Sequence, residues 1–201
     1  MMLNIYLQSL LSHQPAIGVV RWEDRDTLQR LLAVLPRHLK AAHGGKGTLR
    51  TIAAADMSSE QFGKAVVTSL RNAAEACLII YDIESFAGLA GSILNGQRER
   101  LGLARAILLC IRTNRFRDFA LEAPDVMSWV GNNVAQATDF NETPLRSDVK
   151  KSLRLLETKY GMTTSAFLAR SDVGKATGIP DAWIWRELAT MDRNMRDGAI
   201  S

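Results

Sequence analysis

The sequence is sparing with the residues that build metal sites and disulfide frameworks. Its 201 residues include two cysteines, Cys77 and Cys110, and three histidines, His13, His38 and His43. The histidines have no zinc-ligand spacing with one another or with either cysteine, which argues against a zinc centre. Each cysteine lies inside an apolar run, the setting of a buried reduced thiol. No run of about 18 apolar residues occurs, so no membrane-spanning helix is expected. The first twenty residues, "MMLNIYLQSLLSHQPAIGVV", lack a basic leader and a small-residue cleavage site, and a cytoplasmic protein is the expectation. Catalytic signatures are missing too: there is no nucleophile elbow, no HExxH, no CxxC and no paired Cys and His. A strong charge of one sign is also absent. The net charge is +4, and it divides evenly, with 15 basic and 13 acidic residues in 1–140 and 10 and 8 in 141–201. A basic footprint of the kind that holds nucleic acid is therefore not indicated by charge alone.

What is present is the composition of an ordinary globular protein, 47% hydrophobic and 23% charged. The length suits one domain, or one domain with a small appendage. Strand-like runs alternate with helical ones. "AIGVVRW" precedes "EDRDTLQRLLAVLPRHLKAA", in which Leu28, Leu31, Leu32 and Leu35 recur at helical spacing. "TLRTIAAA" precedes the Ser-capped helix "SSEQFGKAVVTSLRNAAE". "ACLIIYDIES" precedes the helical "AGLAGSILNGQRERLGLA", and "AILLCIRTN" follows. The near-continuous apolar strands and the alternation predict a three-layer α/β fold with a mostly parallel sheet, whose strands include 16–22, 48–55, 77–82 and 106–112. Residues 1–131 read as the α/β domain, the polar stretch 132–146 as a linker, and 147–201 as a helical tail, with a helix beginning near Ser147 and Gly161 ending it.

One stretch imitates a phosphate loop. "KAAHGGKGTLRTI" offers Gly45-Lys46, but Gly47 stands where Ser or Thr is needed and Lys40 where the leading glycine belongs. A helix precedes it and a strand follows, the reverse of the required order, so Gly44 and Gly45 read as a helix cap and turn. The turn after the first strand, "RWEDRDTL", carries Glu23, Asp24 and Asp26, which suit a helix dipole and would repel a triphosphate.

Chemistry is expected at the strand ends. "LIIYDIE" brings Asp82 and Glu84 to the carboxyl end of a buried strand, where α/β proteins place ligands, although Asp82 would also serve as a helix cap. The next strand ends in Thr113, Asn114 and Arg115, of which Thr113 and Arg115 are candidate ligand-binding residues, the arginine as an anion clamp. With "LNGQRERL" (Leu94–Leu101), "AILLCIR" and "APDVMSWV" (Ala123–Val130), these motifs make the run Asp82–Val130 resemble the core of bacterial STAND-type P-loop ATPases. The resemblance implies a P-loop NTPase-like fold. It makes Asp82 a Walker B residue that would hold Mg²⁺, Glu84 a water-polarising residue, and the Thr113–Arg115 turn a γ-phosphate sensor. It also exposes a departure, because the chain has no Walker A motif.

The tail segment "LRLLETKYGMTTSAFLAR" is similar to short helical segments of bacterial proteins associated with toxin–antitoxin pairs, and the similarity implies contact with a partner protein. Tyr160, Phe167, Trp183 and Trp185 are its candidate interaction residues. Trp183 and Trp185, two apart, fall on different sides of a helix. Lys150, Lys151 and Arg154 form a basic helical face that reads as solvated surface, or as a nucleic-acid contact.

The expectation is thus a non-catalytic regulatory or protein-interaction module on a degenerate NTPase-like domain, docking a partner protein through its tail and needing no cofactor. The alternatives are an NTPase or metal-dependent phosphoesterase that uses Asp82, Glu84 and a Mg-nucleotide, and an antitoxin-like nucleic-acid regulator.

Overall fold

The computed structural model describes residues 3–12, 16–42, 48–55, 57–70, 76–83, 89–140, 144–172, 179 and 181–197. The Gly44–Gly45 turn and Glu84 lie outside the described residues. Five strands, β1 (Ile17–Trp22), β2 (Thr48–Ala53), β3 (Ala76–Tyr81), β4 (Ala106–Arg112) and β5 (Val134–Gln136), form one parallel sheet in the order β2-β3-β4-β1-β5. The expected three-layer α/β architecture is the one observed.

The two-residue period of the strands feeds two separate cores. Val20 and Trp22 of β1, Ile79 and Tyr81 of β3, and Leu108 and Cys110 of β4 face one layer. That layer contains α1 (Leu3–Leu11), α2 (Arg25–Ala42), α8 (Arg146–Tyr160), α9 (Thr164–Asp172) and α10 (Ala182–Arg196). Ile17 and Val19, Leu78 and Ile80, and Ile107 and Leu109 face the other. There the cover is α3 (Ser59–Ser69), α4 (Ala90–Gly96), α5 (Arg98–Leu101), α6 (Phe116–Glu122) and α7 (Pro124–Val130). Ser58 and Gln61 close a capping box at the start of α3, as the Ser cap in the sequence suggested. Cys77 and Cys110 are buried and not joined in a disulfide. Among the described residues no helix is long and apolar enough to cross a membrane.

The tail folds back against the sheet. α8 and α10 pack on each other and on α2, and Val149, Leu156, Ile184 and Trp185 join the same core as Leu28 and Leu35. α8 ends at Gly161, whose φ of 62° is the left-handed value expected of a glycine cap.

Three features depart from the sequence reading. The stretch 132–146, expected as a linker, contains β5, which pairs with β1 from Val19↔Val134 to Arg21↔Gln136. Three edge residues preceded by two asparagines are too short to carry an alternating pattern. Helix α1, unread in the sequence, covers the amino-proximal half of β1. The helix expected across 87–104 is interrupted at Gln97, beside Gly96, into α4 and α5.

α1 comes close to the sheet because Gly18 has no side chain. A Cβ there would stand 2.5 Å from the Tyr6 hydroxyl and 3.1 Å from a Leu10 methyl. That hydroxyl lies 3.1 Å from the Asn133 carbonyl oxygen and 3.3 Å from that of Val19, so it ties α1 to the β1–β5 pair. Gly18→Ala is expected to cost about 1–3 kcal/mol in urea unfolding, the usual cost of overpacking. The cost should be smaller in a Tyr6→Phe background, where the oxygen that meets the new methyl is gone.

Candidate functional site

The carboxyl ends of β1, β3 and β4 meet on one edge of the sheet, and Asp82 is the first residue past β3. The chain leaves the strand there with φ of 55°, a left-handed conformation that aspartate tolerates better than most residues. Asp82 is buried, 4% exposed. Its carboxylate accepts a 2.8 Å hydrogen bond from the indole N–H of Trp183, on α10. Burial pushes the carboxyl above its ordinary range; the Trp183 bond and the charges of Arg25 and Arg112 pull the other way.

Trp183 is held from both sides. Tyr81 meets it edge-on, with ring centroids 6.2 Å apart, and the Arg25 guanidinium lies over its ring at 4.7 Å. Arg25 opens α2, where the helix dipole disfavours a cation, so the stack gives that residue a local role the helix itself does not.

Beside this pair lies a second buried carboxylate, Asp181, fully shielded from solvent. It accepts hydrogen bonds from the Tyr81 hydroxyl, from the Tyr160 hydroxyl at 2.6 Å, and from the Lys159 ammonium at 2.6 Å. Lys159 also reaches the Thr51 carbonyl at 3.1 Å. Asp181 thereby joins β3, α8 and the start of α10, and Lys159 carries the network on to β2. Burial, reinforced by the Asp181 charge and hydrogen bond, drives both tyrosine hydroxyls well above their ordinary pKa.

The start of α2, where a phosphate loop would deliver its anion, is occupied by the chain itself. Asp24 accepts a 2.8 Å bond from the Thr27 backbone N–H and another of 2.8 Å from the Thr27 hydroxyl. These bonds, the backbone one foremost, hold its carboxyl below the usual range. The helix end that could receive a phosphate already has a carboxylate on it.

The sequence-predicted residues separate here. Asp82 is at the expected strand end. Thr113 is at its own strand end but engaged: its hydroxyl donates to the Trp22 carbonyl at 3.2 Å and accepts from Gln136 at 2.9 Å. Arg115 pairs with Asp118 at 3.0 Å on the turn into α6, and the cations acting on Asp82 are Arg25 and Arg112 instead. Trp185 and Phe167 are fully buried and stacked 4.4 Å apart at 3°, and Tyr160 also stacks on Trp185 at 5.6 Å. As anchors for an outside partner, Trp185 and Phe167 are therefore corrected: they hold the tail together internally.

Sequence reasoning missed Arg25 and Asp181; Arg112, like Arg115, stood out at the end of its strand as a candidate anion-binding side chain. Asp181 carried a weak signal, since it directly precedes the Trp-rich helix. Nothing local marked Arg25.

Among the described residues, the groups that the P-loop resemblance would assign to a Mg-nucleotide do not fit one in this arrangement. The Asp82 carboxylate is covered by Trp183, the α2 end is capped by Asp24, and no group of three or more His, Cys, Asp or Glu converges among the described residues. Comparisons with protein-family models, with curated proteins and with solved structures return no match for this chain.

Proposed function

We propose that the protein is a non-catalytic regulatory or protein-interaction module, an NTPase-like α/β domain whose nucleotide site is degenerate. The tail closes the strand ends from within and offers its outward surface to a partner protein. The bond from Trp183 to Asp82 carries this reading: the one side chain that an NTPase would reserve for its metal is used to seat the tail. The acidic cap of α2 supports it independently, since a triphosphate would have to displace Asp24 and approach Glu23 and Asp26 as well.

Because Trp185 and Phe167 are consumed internally, the contact with a partner falls to exposed residues of α8 and α10, including Lys150, Arg154 and Arg193. The cytoplasm is the compartment this reading assigns, in keeping with two buried cysteines outside any disulfide.

Turnover of ATP and GTP with Mg²⁺, together with melting temperature, tests the proposal on wild type and on Asp82→Asn. The expected result is no turnover and no nucleotide-dependent rise in melting temperature for either protein. Turnover that disappears in Asp82→Asn would overturn the reading in favour of an NTPase.

A further inference from the structure

Between α8, α9 and α10, on the outward side of the tail, lies a cleft of about 420 Å³. Its floor is apolar, built from Leu153 of α8, Leu168 of α9 and Ala189 of α10. Three contacts fix the helices around it. α8 and α10 pack on each other, the Glu157 carboxylate accepts a 2.7 Å bond from the Thr164 backbone N–H, and the Trp185 indole donates to the Thr164 hydroxyl at 3.1 Å. The start of α9 is thereby tied to both neighbours, so the cleft is formed before any partner arrives, which lowers the cost of binding.

The charges on its walls do not balance. Lys150 and Arg154 come from α8, and Arg193 and Arg196 from α10; the carboxylates among the described lining residues are Glu157 and Asp192. Both carboxylates are engaged by the chain itself. Glu157 caps α9, and Asp192 pairs with Arg196 and, at 3.3 Å, with Arg146. Lys150, Arg154 and Arg193 are exposed and have no ion-pair partner among the described residues. Lys150 and Arg154, four apart on α8, share a face on which like charges repel. An anion in the cleft would relieve that repulsion, and a cation would add to it.

We infer, resting on the proposal above that α8 and α10 face a partner protein, that this cleft docks an acidic segment of that partner. The segment sets carboxylates against Lys150, Arg154 and Arg193 and an apolar side chain on the floor of Leu153, Leu168 and Ala189. Recognition of acidic motifs by clustered basic side chains is a recurrent mode of peptide binding. Nucleic acid fits the cleft less well. None of the described lining residues is aromatic, so a base has no ring to stack on. A duplex is read by an element that protrudes into its groove, whereas this surface is a recess.

The test selects random peptides displayed on phage against the intact chain and measures the selected peptides by fluorescence anisotropy. The enriched peptides should carry Asp or Glu beside Leu, Ile or Phe, and should bind more weakly when their acids are replaced by Asn and Gln. In the double variant Arg154→Gln, Arg193→Gln their affinity should fall about tenfold, the scale of two exposed ion pairs. The control Arg100→Gln, Arg117→Gln removes the same charge from α5 and α6, on the opposite layer, and should leave binding unchanged. Ser165→Glu should also weaken binding: a carboxylate there suits the start of α9, so the fold is kept while a negative charge enters the cleft. A single-stranded oligonucleotide and a DNA duplex are measured alongside. The inference is overturned if no acidic peptides are enriched, if neither cleft variant weakens them, or if the control weakens them as much. It is equally overturned if an oligonucleotide binds more tightly than the peptides and loses affinity in the cleft variants. None of these outcomes involves nucleotide turnover, so a failure here and a failure of the non-catalytic reading are told apart.

Discussion

Replacing Asp181 with alanine should destabilise the protein by about 3–5 kcal/mol, because the buried Tyr81 hydroxyl and the half-buried Tyr160 hydroxyl each lose their acceptor at about 1–3 kcal/mol apiece. Asp181 is fully shielded, and three donors converge on it: the Tyr81 hydroxyl from β3, the Tyr160 hydroxyl and the Lys159 ammonium from α8. Alanine leaves a lysine charge and two hydroxyls facing a void that no carboxylate fills. In a domain of this length the loss corresponds to a fall in melting temperature of roughly 10 °C or more. Asp181→Asn keeps an acceptor and much of the volume, so it should cost markedly less than alanine. Near-equal losses from the two substitutions would show that the carboxylate acts only as filler. The loss should also be felt locally, with α8 and α10 loosening from the sheet before α3 and α6, which face the opposite core.

The second large effect is expected at alkaline pH. The protein has three tyrosines, Tyr6, Tyr81 and Tyr160. All three are held protonated well above the ordinary phenol value of 10.0, with burial the first cause in each. The charge on Asp181 adds to the shift of Tyr81 and Tyr160. A folded-state pKa raised above the unfolded one means that this stability is fully present below about pH 10 and is lost as the pH rises beyond it. Above that point the unfolded chain releases three protons that the native state retains. Each contributes a slope of about 1.4 kcal/mol per pH unit, so the three together approach 4 kcal/mol per unit. Absorbance at the phenolate band should therefore stay flat through pH 10 in the native protein and then rise in one cooperative step that coincides with loss of circular dichroism. A tyrosine that titrates near pH 10 in the folded state would contradict the burial assigned to it.

The parts of this fold that were legible in the sequence are those whose cause is local. "CLIIY" and "AILLCI" are apolar on both faces because both faces are covered, and that pattern, with the alternation of strand and helix, points to parallel central strands. The Ser58 capping box and the Gly161 cap are likewise written within a few residues. β5 left no such trace, because an edge strand of three residues is decided by the partner it finds, not by its own composition. The site was half legible for the same reason. Asp82 stood out because a carboxylate at a strand end is a local pattern. The residue that covers it, Trp183, lies 101 positions away, and Tyr81 lies 100 positions from Asp181. Spacing on α10 did reveal that Trp183 and Trp185 diverge. Both engage the chain itself, Trp183 bonding Asp82 while half-buried and Trp185 fully buried in the Phe167 stack. The chain uses its aromatic anchors on itself.

Hydrogen exchange of the Trp183 indole N–H tests the central claim, that the tail is seated on Asp82, most directly. The resonance can be assigned by its loss in Trp183→Phe. In the wild-type protein, with or without Mg-nucleotide, that proton should be strongly protected, and Asp82→Ala should release it while Trp185, bonded to Thr164, stays protected. A Trp183 indole proton that exchanges as freely as that of an exposed tryptophan in the wild type, or that is released when Mg-nucleotide is added, would contradict the seal and return Asp82 to the role of a working nucleotide-site residue.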